Sequence, residues 1–422
     1  MNQELLHRIQ VLRQPLIAIA DKYNTPLYVY DPKEVRRSYG EFDSAFRDVG
    51  ESVEIFYAIK SNPCSLLLKT VVEQGAGLDA SSHRELKLAL EAGAKRIIYT
   101  GPAKKERDFE LILDHADCIT VNLETVRELT LLAEMAKKRK TKIRCGLRII
   151  TNNQSGWTKF GLPLNQLREF YDKASAFPEI EFCGIHFHIS FNTNPDNYVR
   201  TLEEVAKYLT EQFSNDERQQ FTYLDIGGGI YPVNTWEGYY PWNKDLEHAA
   251  CPTGTLDMIL NDEYHPRYIP MQITPVKDFA SAIVLAMQNH IRPALPNAKM
   301  YLEPGRYLSQ NSLHILLSIT DIKEQSICIT DGGNNMIGWE KYQHFWYTPV
   351  FNLTHFSVER EIPSLLYGSL CTPDDIWGYY LYCSDVQEGD LICLPYQGAY
   401  TYTFAQEFIR EIPDVVYIGL NN

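Results

Sequence analysis

Residues 53–63 read VEIFYAIKSNP, and the chain continues from Pro63 as PCSLLLKTVVEQGA. The first stretch is an apolar run of β-type residues that stops at Lys60 and breaks at Ser61-Asn62-Pro63. The second spaces its Leu and Val residues at helical intervals, so together they read as one strand followed by one helix. A lysine at the end of such a strand has two readings. It can be the point where the chain returns to water, its stem lying on apolar surface and its head solvated. It can also be a desolvated amine, a nucleophile toward a carbonyl that forms a Schiff base. Alone, Lys60 favours the first.

The same strand–helix unit recurs outward from this stretch. GLDAS precedes SHRELKLALEAGA, RIIYTG precedes KKERDFELILDHA, and CITVN precedes ETVRELTLLAEMAKKRK. KIRCGLRI, EFCGIHFHI, TYLDIGGG and KMYLEPGRYL complete eight strand candidates between about residues 35 and 310. Strands alternating with helices imply a parallel sheet, and eight of them suit a closed (β/α)8 barrel whose chemistry gathers at the C-terminal strand ends. Residues 231–275, rich in aromatics and proline, interrupt the rhythm as an insertion; a lid over the barrel mouth and a plain surface excursion are both open. From residue 311 to 422 helical signals fade, and HILLSITDIKEQSICITDGG, YTPVFNLTHFS, LYCSDVQEGDLICLPY and GAYTYTF read as a second, all-β domain. Residues 1–34 read as an amphipathic helix and a strand expected to join that β-domain. The fold class is therefore α/β: a (β/α)8 barrel with a C-terminal all-β domain.

The chain has 422 residues, 45% of them hydrophobic and 22% charged, with a net charge of −14. That length exceeds one core, and the negative charge argues against nucleic acid as the main partner. No run reaches the ~18 apolar residues of a membrane span, and the N-terminus lacks the pattern of a signal peptide. Nine cysteines are scattered without a CxxC pair or zinc spacing, the pattern of reduced thiols. A cytoplasmic protein with no membrane partner is expected.

Several strand ends carry polar residues that packing does not require. His186 and His188 stand two apart in HFHI, which alternation would place on one side of a strand. A metal would need a third ligand that the sequence does not offer, so none is expected. Gly227, Gly228 and Gly229 follow a strand in LDIGGGI, where backbone N–H groups could approach an anion. Glu303 and Arg306 flank Pro304-Gly305 in EPGRY.

In this order, FYAIKSNP, GLDASSHREL, KFG, HFHI, LDIGGGI, EPGRYL, YGSLCTPDD and GAYT resemble the pyridoxal-phosphate (PLP) decarboxylases of the diaminopimelate/ornithine decarboxylase family, from about residue 25 to 405. The resemblance implies a barrel plus β-domain and PLP as cofactor. It assigns Lys60 to the imine with PLP, Glu303 to the pyridine nitrogen and His188 to the ring face. Gly227, Gly228, Gly229, Gly305, Arg306 and Tyr400 match its phosphate-binding groups; backbone donors, a guanidinium and a phenol suit a phosphate dianion. Asp79, Glu85, Arg148 and Lys159 fall on positions near the cofactor or lysine. The family shares its active sites across a homodimer, which would make Cys371 of the partner subunit the proton donor to the α-carbon and Asp375 a holder of the substrate side chain.

Three positions depart from the family. Thr372 stands where the acidic residue after the cysteine takes the distal ammonium of diaminopimelate or ornithine. Trp339 stands where diaminopimelate enzymes place an arginine for the distal carboxylate. Ser190 and Phe191 replace the Gly-Ser after the second histidine. Together they point to a modified or conjugated amino acid as substrate, of diaminopimelate-like, carboxynorspermidine-like, siderophore or carrier-bound type. A PLP-dependent racemase and a non-catalytic PLP-binding homologue are the alternatives; Glu303, in place of a racemase's arginine, and the paired presence of Lys60 and Cys371 speak against them.

Overall fold

The computed structural model describes residues 3–51, 53–154, 158–233, 236–240, 267–323, 327–338 and 348–419. Trp339 lies outside these, as does most of the expected insertion; of the latter, Trp236–Tyr240 and Arg267–Pro270 pair as antiparallel strands. Among the described residues no helix is long and apolar enough to cross a membrane. The described chain divides into two compact units, one from Val35–Pro232 and Ile273–Leu308, the other from Met1–Glu34, Val233–Gln272 and Ser309–Asn422.

The first unit is a parallel barrel. Strand Val53–Ala58 pairs with Gly77–Ala80, which pairs with Ile97–Tyr99, then Ile119–Leu123, Ile143–Ile150, Ile180–His186, Tyr223–Asp225 and Lys299–Leu302, and the last pairs back with Val53–Ala58. All eight strand expectations are met. Most of these strands are buried along nearly their whole length, as parallel strands packed on both faces must be. Helices start where polar caps stop the extended chain. Ser82 accepts from the Glu85 amide at 3.2 Å and Thr125 from the Glu128 amide at 3.1 Å, each satisfying a donor that a helix N-terminus leaves open.

The barrel interior is filled by large rings set against absent side chains. Tyr223 stacks on Tyr301 at 4.8 Å and donates to Asn122 Oδ1 at 2.7 Å. Gly146 and Gly184 make room for it, since a Cβ on Gly184 would lie 2.0 Å from the Tyr223 ring and one on Gly146 2.3 Å from its hydroxyl.

The second unit carries an eight-stranded mixed sheet, in the order Ile327–Thr330, Phe356–Tyr367, Ile376–Cys383, Phe351–Asn352, Leu391–Leu394, Leu313–Lys323, Leu27–Tyr30, Val415–Tyr417. Leu27–Tyr30 runs antiparallel to Leu313–Lys323, with Val29 opposite His314, and parallel to Val415–Tyr417. Helix Gln3–Tyr23 buries Leu5, Ile9, Leu12 and Leu16 against Leu27, Val29, Leu316 and Phe351, a stripe at helical spacing. One β-type expectation is corrected. GAYTYTF forms a turn, with Tyr400 at φ 55° and a 3₁₀ segment at Tyr402–Phe404. Thr401 donates to the Gln397 carbonyl, a local bond that competes with strand pairing.

Replacing Gly184 with alanine should destabilise the protein by about 3 kcal/mol, because the added methyl meets the Tyr223 ring rather than a flexible chain end. Urea unfolding measures this, and a wild-type midpoint would show that Tyr223 has room to move.

Candidate active site

Lys60 does not end its strand. The strand stops at Ala58 and a 3₁₀ turn, Ile59–Ser61, carries the lysine just beyond it. Its half-buried side chain places Nζ 3.5 Å from Asp79 Oδ2, at the end of the neighbouring strand. Asp79 is fully buried, and Thr100 donates to its other oxygen at 2.5 Å. Burial and the nearby Glu303 push the Asp79 carboxyl up to about 7, while Lys60 and Thr100 pull the other way. Glu85 caps its own helix by accepting from Ser81 N at 2.7 Å; burial raises its carboxyl, against that amide and Lys60.

The two histidines are placed by different means. The strand ends at His186, so His188 is carried by the segment beyond it, and strand alternation alone does not set its side. Phe187 N bonded to Asp225 O at 2.9 Å fixes that segment. Both rings nevertheless reach Glu303, His186 Nε2 at 3.6 Å and His188 Nδ1 at 3.7 Å from its carboxylate oxygens. Gly228 N donates to His188 Nδ1 at 3.2 Å, which leaves the ring proton on Nε2, 3.1 Å from Ser190 Oγ. Burial, helped by Lys60 and Arg148, pushes this imidazole down to about 4; the same causes, burial first, lower His186.

A third acid completes the cluster. Asp225 joins His186 and Glu303, with one ligand-type atom of each within 4.8 Å of the others. This corrects the expectation that the histidines lack a third polar partner of that kind; the residues are far apart in the chain and meet only because three adjacent strands end together. Asp225 Oδ1 accepts from Gly227 N at 2.9 Å. Burial and the charge of Glu303 push its carboxyl well above the usual range, against the Gly227 amide. Burial likewise opposes ionisation of Glu303, but His186 and Lys60 beside it carry its carboxyl well below that range.

The glycine triplet is a meeting point of backbones. Gly227 and Gly229 have φ of 71° and 93°, and a Cβ on Gly228 would come within 2.0 Å of the Glu303 carbonyl. Tyr198 donates to the Gly228 carbonyl, and the Asn192 backbone amide donates to Gly229 O at 2.9 Å. Gly305 packs as closely, its added Cβ meeting Ser61 at 2.9 Å and Ala58 at 3.2 Å. Arg306 lies 5.0 Å over the Tyr231 ring. Arg148 pairs with Glu124 at 3.2 Å and covers the Phe160 ring at 4.3 Å. Lys159 is exposed, beside the same ring at 5.2 Å.

Sequence reasoning passed over a buried pair behind Arg148, Lys104 with Glu128 at 3.1 Å. Burial lowers the Lys104 ammonium, opposed by Glu128 and Glu124. It also passed over Asp225 and Thr100, although each sits at a strand end beside a quoted glycine, in LDIGGG and RIIYTG.

The β-unit holds Cys371, Thr372, Asp375 and Tyr400. Cys371 is the exposed one among the described cysteines. Asp375 is buried, and its two oxygens accept from Asn334 N and Leu370 N, each at 2.7 Å, so its carboxylate is already used to hold the loop on which Cys371 stands. Burial raises it, opposed by those amides. Thr372 lines a small pocket with Asn334, Asn335, Asp374, Gln406 and Phe408.

The residues of the barrel unit suit PLP. Among the described residues Glu303 Oε1 is buried with no hydrogen-bond partner, an acceptor fitted to a protonated ring nitrogen. Lys60 offers the amine, His188 a neutral ring, and the glycine turns backbone that a phosphate could approach.

Two outcomes follow from this geometry. The folded protein keeps His188 neutral while the unfolded chain protonates it below about pH 6.5, so stability falls as pH drops from about 6.5 to about 4. His188→Gln should flatten that slope by about 1.4 kcal/mol per pH unit, read from urea unfolding across the range. Phe191 is 60% exposed at φ 60°. Phe191→Gly should gain about 1 kcal/mol by removing left-handed strain, and a lower melting temperature would show that the ring contributes packing.

Comparison with known proteins agrees with the geometry. A diaminopimelate decarboxylase of Bacillus subtilis is 27% identical over 95% of this chain and 88% of its own. An L-glutamyl acyl-carrier-protein decarboxylase of Niallia circulans is 24% identical over 96% of this chain and 91% of its own. The crystal structure of the diaminopimelate decarboxylase from M. jannaschii shares the fold, with a TM-score of 0.79 at 23% identity, over 95% of this chain and 88% of that one. Residues 33–310 match the family described as pyridoxal-dependent decarboxylase, pyridoxal binding domain. With Lys60, Glu303 and the glycine turn converging as above, and the racemase and non-catalytic readings set aside, the chain belongs to the pyridoxal-dependent decarboxylases and acts on an amino-acid substrate.

Proposed function

We propose that the protein removes the α-carboxylate of an amino-acid conjugate, a substrate whose distal end is neither a free ammonium nor a free carboxylate. The observation that carries this is the neutral residue at position 372, next to Cys371 on a loop whose nearest buried carboxylate, Asp375, is committed to backbone amides. A small pocket lined by Thr372, Asn334, Asn335, Gln406 and Phe408, with Asp374 and Asp375 on its wall, offers hydroxyl and amide groups that could meet a conjugate's own amide or hydroxyl. The acyl-carrier-protein decarboxylase relative, which acts on a carrier-bound glutamyl group, supports this class.

The chain's own groups divide the work. PLP, when bound, supplies the electron sink that takes the pair left by departing CO2. Lys60 would hold it through its amine, and Asp79, 3.5 Å away, can accept a proton from the ammonium. Glu303 would keep the ring nitrogen protonated, and His188 would cover the ring as a neutral imidazole. Gly227, Gly228, Gly229, Gly305, Arg306 and Tyr400 would receive the phosphate. Glu124 and Arg148, paired at 3.2 Å, would help to orient these groups.

Cys371 would return a proton to the α-carbon from its thiol, acting in the active site of the partner subunit of a homodimer. In that arrangement Asp375 would position the loop rather than read the substrate. The domain limits we infer are 1–34, 35–310 and 311–422.

The deciding experiment measures CO2 release and α-deuterium incorporation over free diaminopimelate, ornithine, lysine and carboxynorspermidine, and over amide-, siderophore- and carrier-linked amino acids. Faster turnover of linked substrates is expected; equal or faster turnover of a free diamine precursor would sink the substrate reading. Lys60→Ala should abolish both activity and the visible absorbance of the bound cofactor. Cys371→Ala should lower kcat by about 10²-fold or more. Mixing these two inactive variants should restore activity if active sites are shared between subunits, and persistent inactivity would argue against that sharing.

A further inference from the structure

Asp225 is a buried acid that the reaction as described does not use. It lies at the end of strand Tyr223–Asp225, fully buried, with an oxygen within 4.8 Å of Glu303 and of His186. Its neighbours are known from every side. Oδ1 accepts from Gly227 N at 2.9 Å, and Asn122 Nδ2 stands 3.5 Å from Oδ2. Asn122 is oriented by Tyr223, whose hydroxyl donates to its Oδ1 at 2.7 Å, so its amide nitrogen is the atom turned to Asp225. Asp79, Tyr198 and Tyr301 are the further titratable groups near enough to act on it or feel it.

Two carboxylates this close, both out of water, cannot both be ionised; one proton stays with the pair. Position decides which acid keeps it. Glu303 faces Lys60 and, at 3.6 Å, Nε2 of His186, groups that favour its charge. Among the described residues Asp225 makes no ion pair with a cation; the groups around it are amides, phenols, other acids and the His186 ring, which burial holds toward its neutral form.

We propose that Asp225 is a positioning residue that sits beside Glu303 as an uncharged carboxylic acid, leaving Glu303 as the carboxylate that meets the cofactor's ring nitrogen. An ionised Asp225 would drive the proton onto Glu303 and remove the acceptor that the ring nitrogen requires. The neutral acid also fixes the turn at Gly227 through Oδ1, so one side chain sets both the shape of the glycine turn and the charge of Glu303. The inference rests on PLP as the bound cofactor: a wild-type protein that fails to bind PLP would defeat that assignment, whereas the variants below test Asp225 alone.

The test uses the holoenzyme and needs no substrate. Asp225→Asn keeps the size and the Gly227 acceptor and can never be charged. It should bind PLP within about threefold of wild type and keep the same visible band between about pH 6 and 9. Loss of affinity by more than about tenfold, or a band that newly titrates in that range, would show that the negative charge is needed and overturn the proposal. Glu303→Gln, which removes the charge assigned to the ring nitrogen, should fail the same measurements; if it behaves as wild type, the division of labour is wrong. Should Asp225→Asn not fold, carbon-13 NMR of aspartate-labelled wild-type holoenzyme decides. A carboxyl resonance of the protonated form, unmoved across the same pH range, is expected for Asp225, and one at the ionised position refutes the assignment.

Discussion

Glu303 must remain a carboxylate in a place where water cannot solvate it, and most of the barrel's upper interior follows from that constraint. A buried charge is costly unless polar and charged groups converge on it. Here His186 and His188 approach within 3.6 and 3.7 Å, and Lys60 acts from the adjacent turn. Two further acids, Asp79 and Asp225, surround the same volume, and both are pushed toward protonation by burial and by Glu303 itself. One acid is thereby singled out from three by its neighbours, which is how similar side chains take different roles in one site.

Backbone proximity is the second half of the design. His188 is held neutral because a Gly228 amide donates into its ring, and that amide can reach it only because no Cβ intervenes at Gly227. Gly228 against the Glu303 carbonyl and Gly305 against Ser61 repeat the arrangement on neighbouring strand ends. Removing side chains from the turns brings the polar side chains of adjacent strands into register around one point. The β-unit uses the same device, since Gly333 and Gly368 would each clash with Asp375, the acid that ties down the Cys371 loop.

The departures from the family gain meaning from these contacts. Ser190, in place of a glycine, accepts the His188 Nε2 proton at 3.1 Å, so the change keeps the ring's tautomer fixed. Phe191 follows with a left-handed backbone and an exposed ring, a combination that packing does not reward. Thr372 puts a neutral hydroxyl beside Cys371, while Asp375 spends both oxygens on backbone amides and Asp374 is the exposed acid of the loop.

The sequence alone determined the order of strands and helices, the closure of eight strands into a barrel and the second β-domain, and its resemblance to a family marked Lys60, Glu303, His188 and the glycines as candidates. Those features are local: apolar periodicity, turn residues and short motifs are read within a dozen residues of one another. What it could not contain were the relations across strands. That Asp225 and Glu303 share one volume, that Lys60 leaves the strand on a 3₁₀ turn, that GAYTYTF turns rather than extends, and that Asp375 spends its oxygens on backbone amides depend on which strand ends lie side by side. Charge states followed the same rule. A carboxyl's proton is set by burial and by neighbours distant in the chain, so the tertiary structure decided which of the acids keeps its charge.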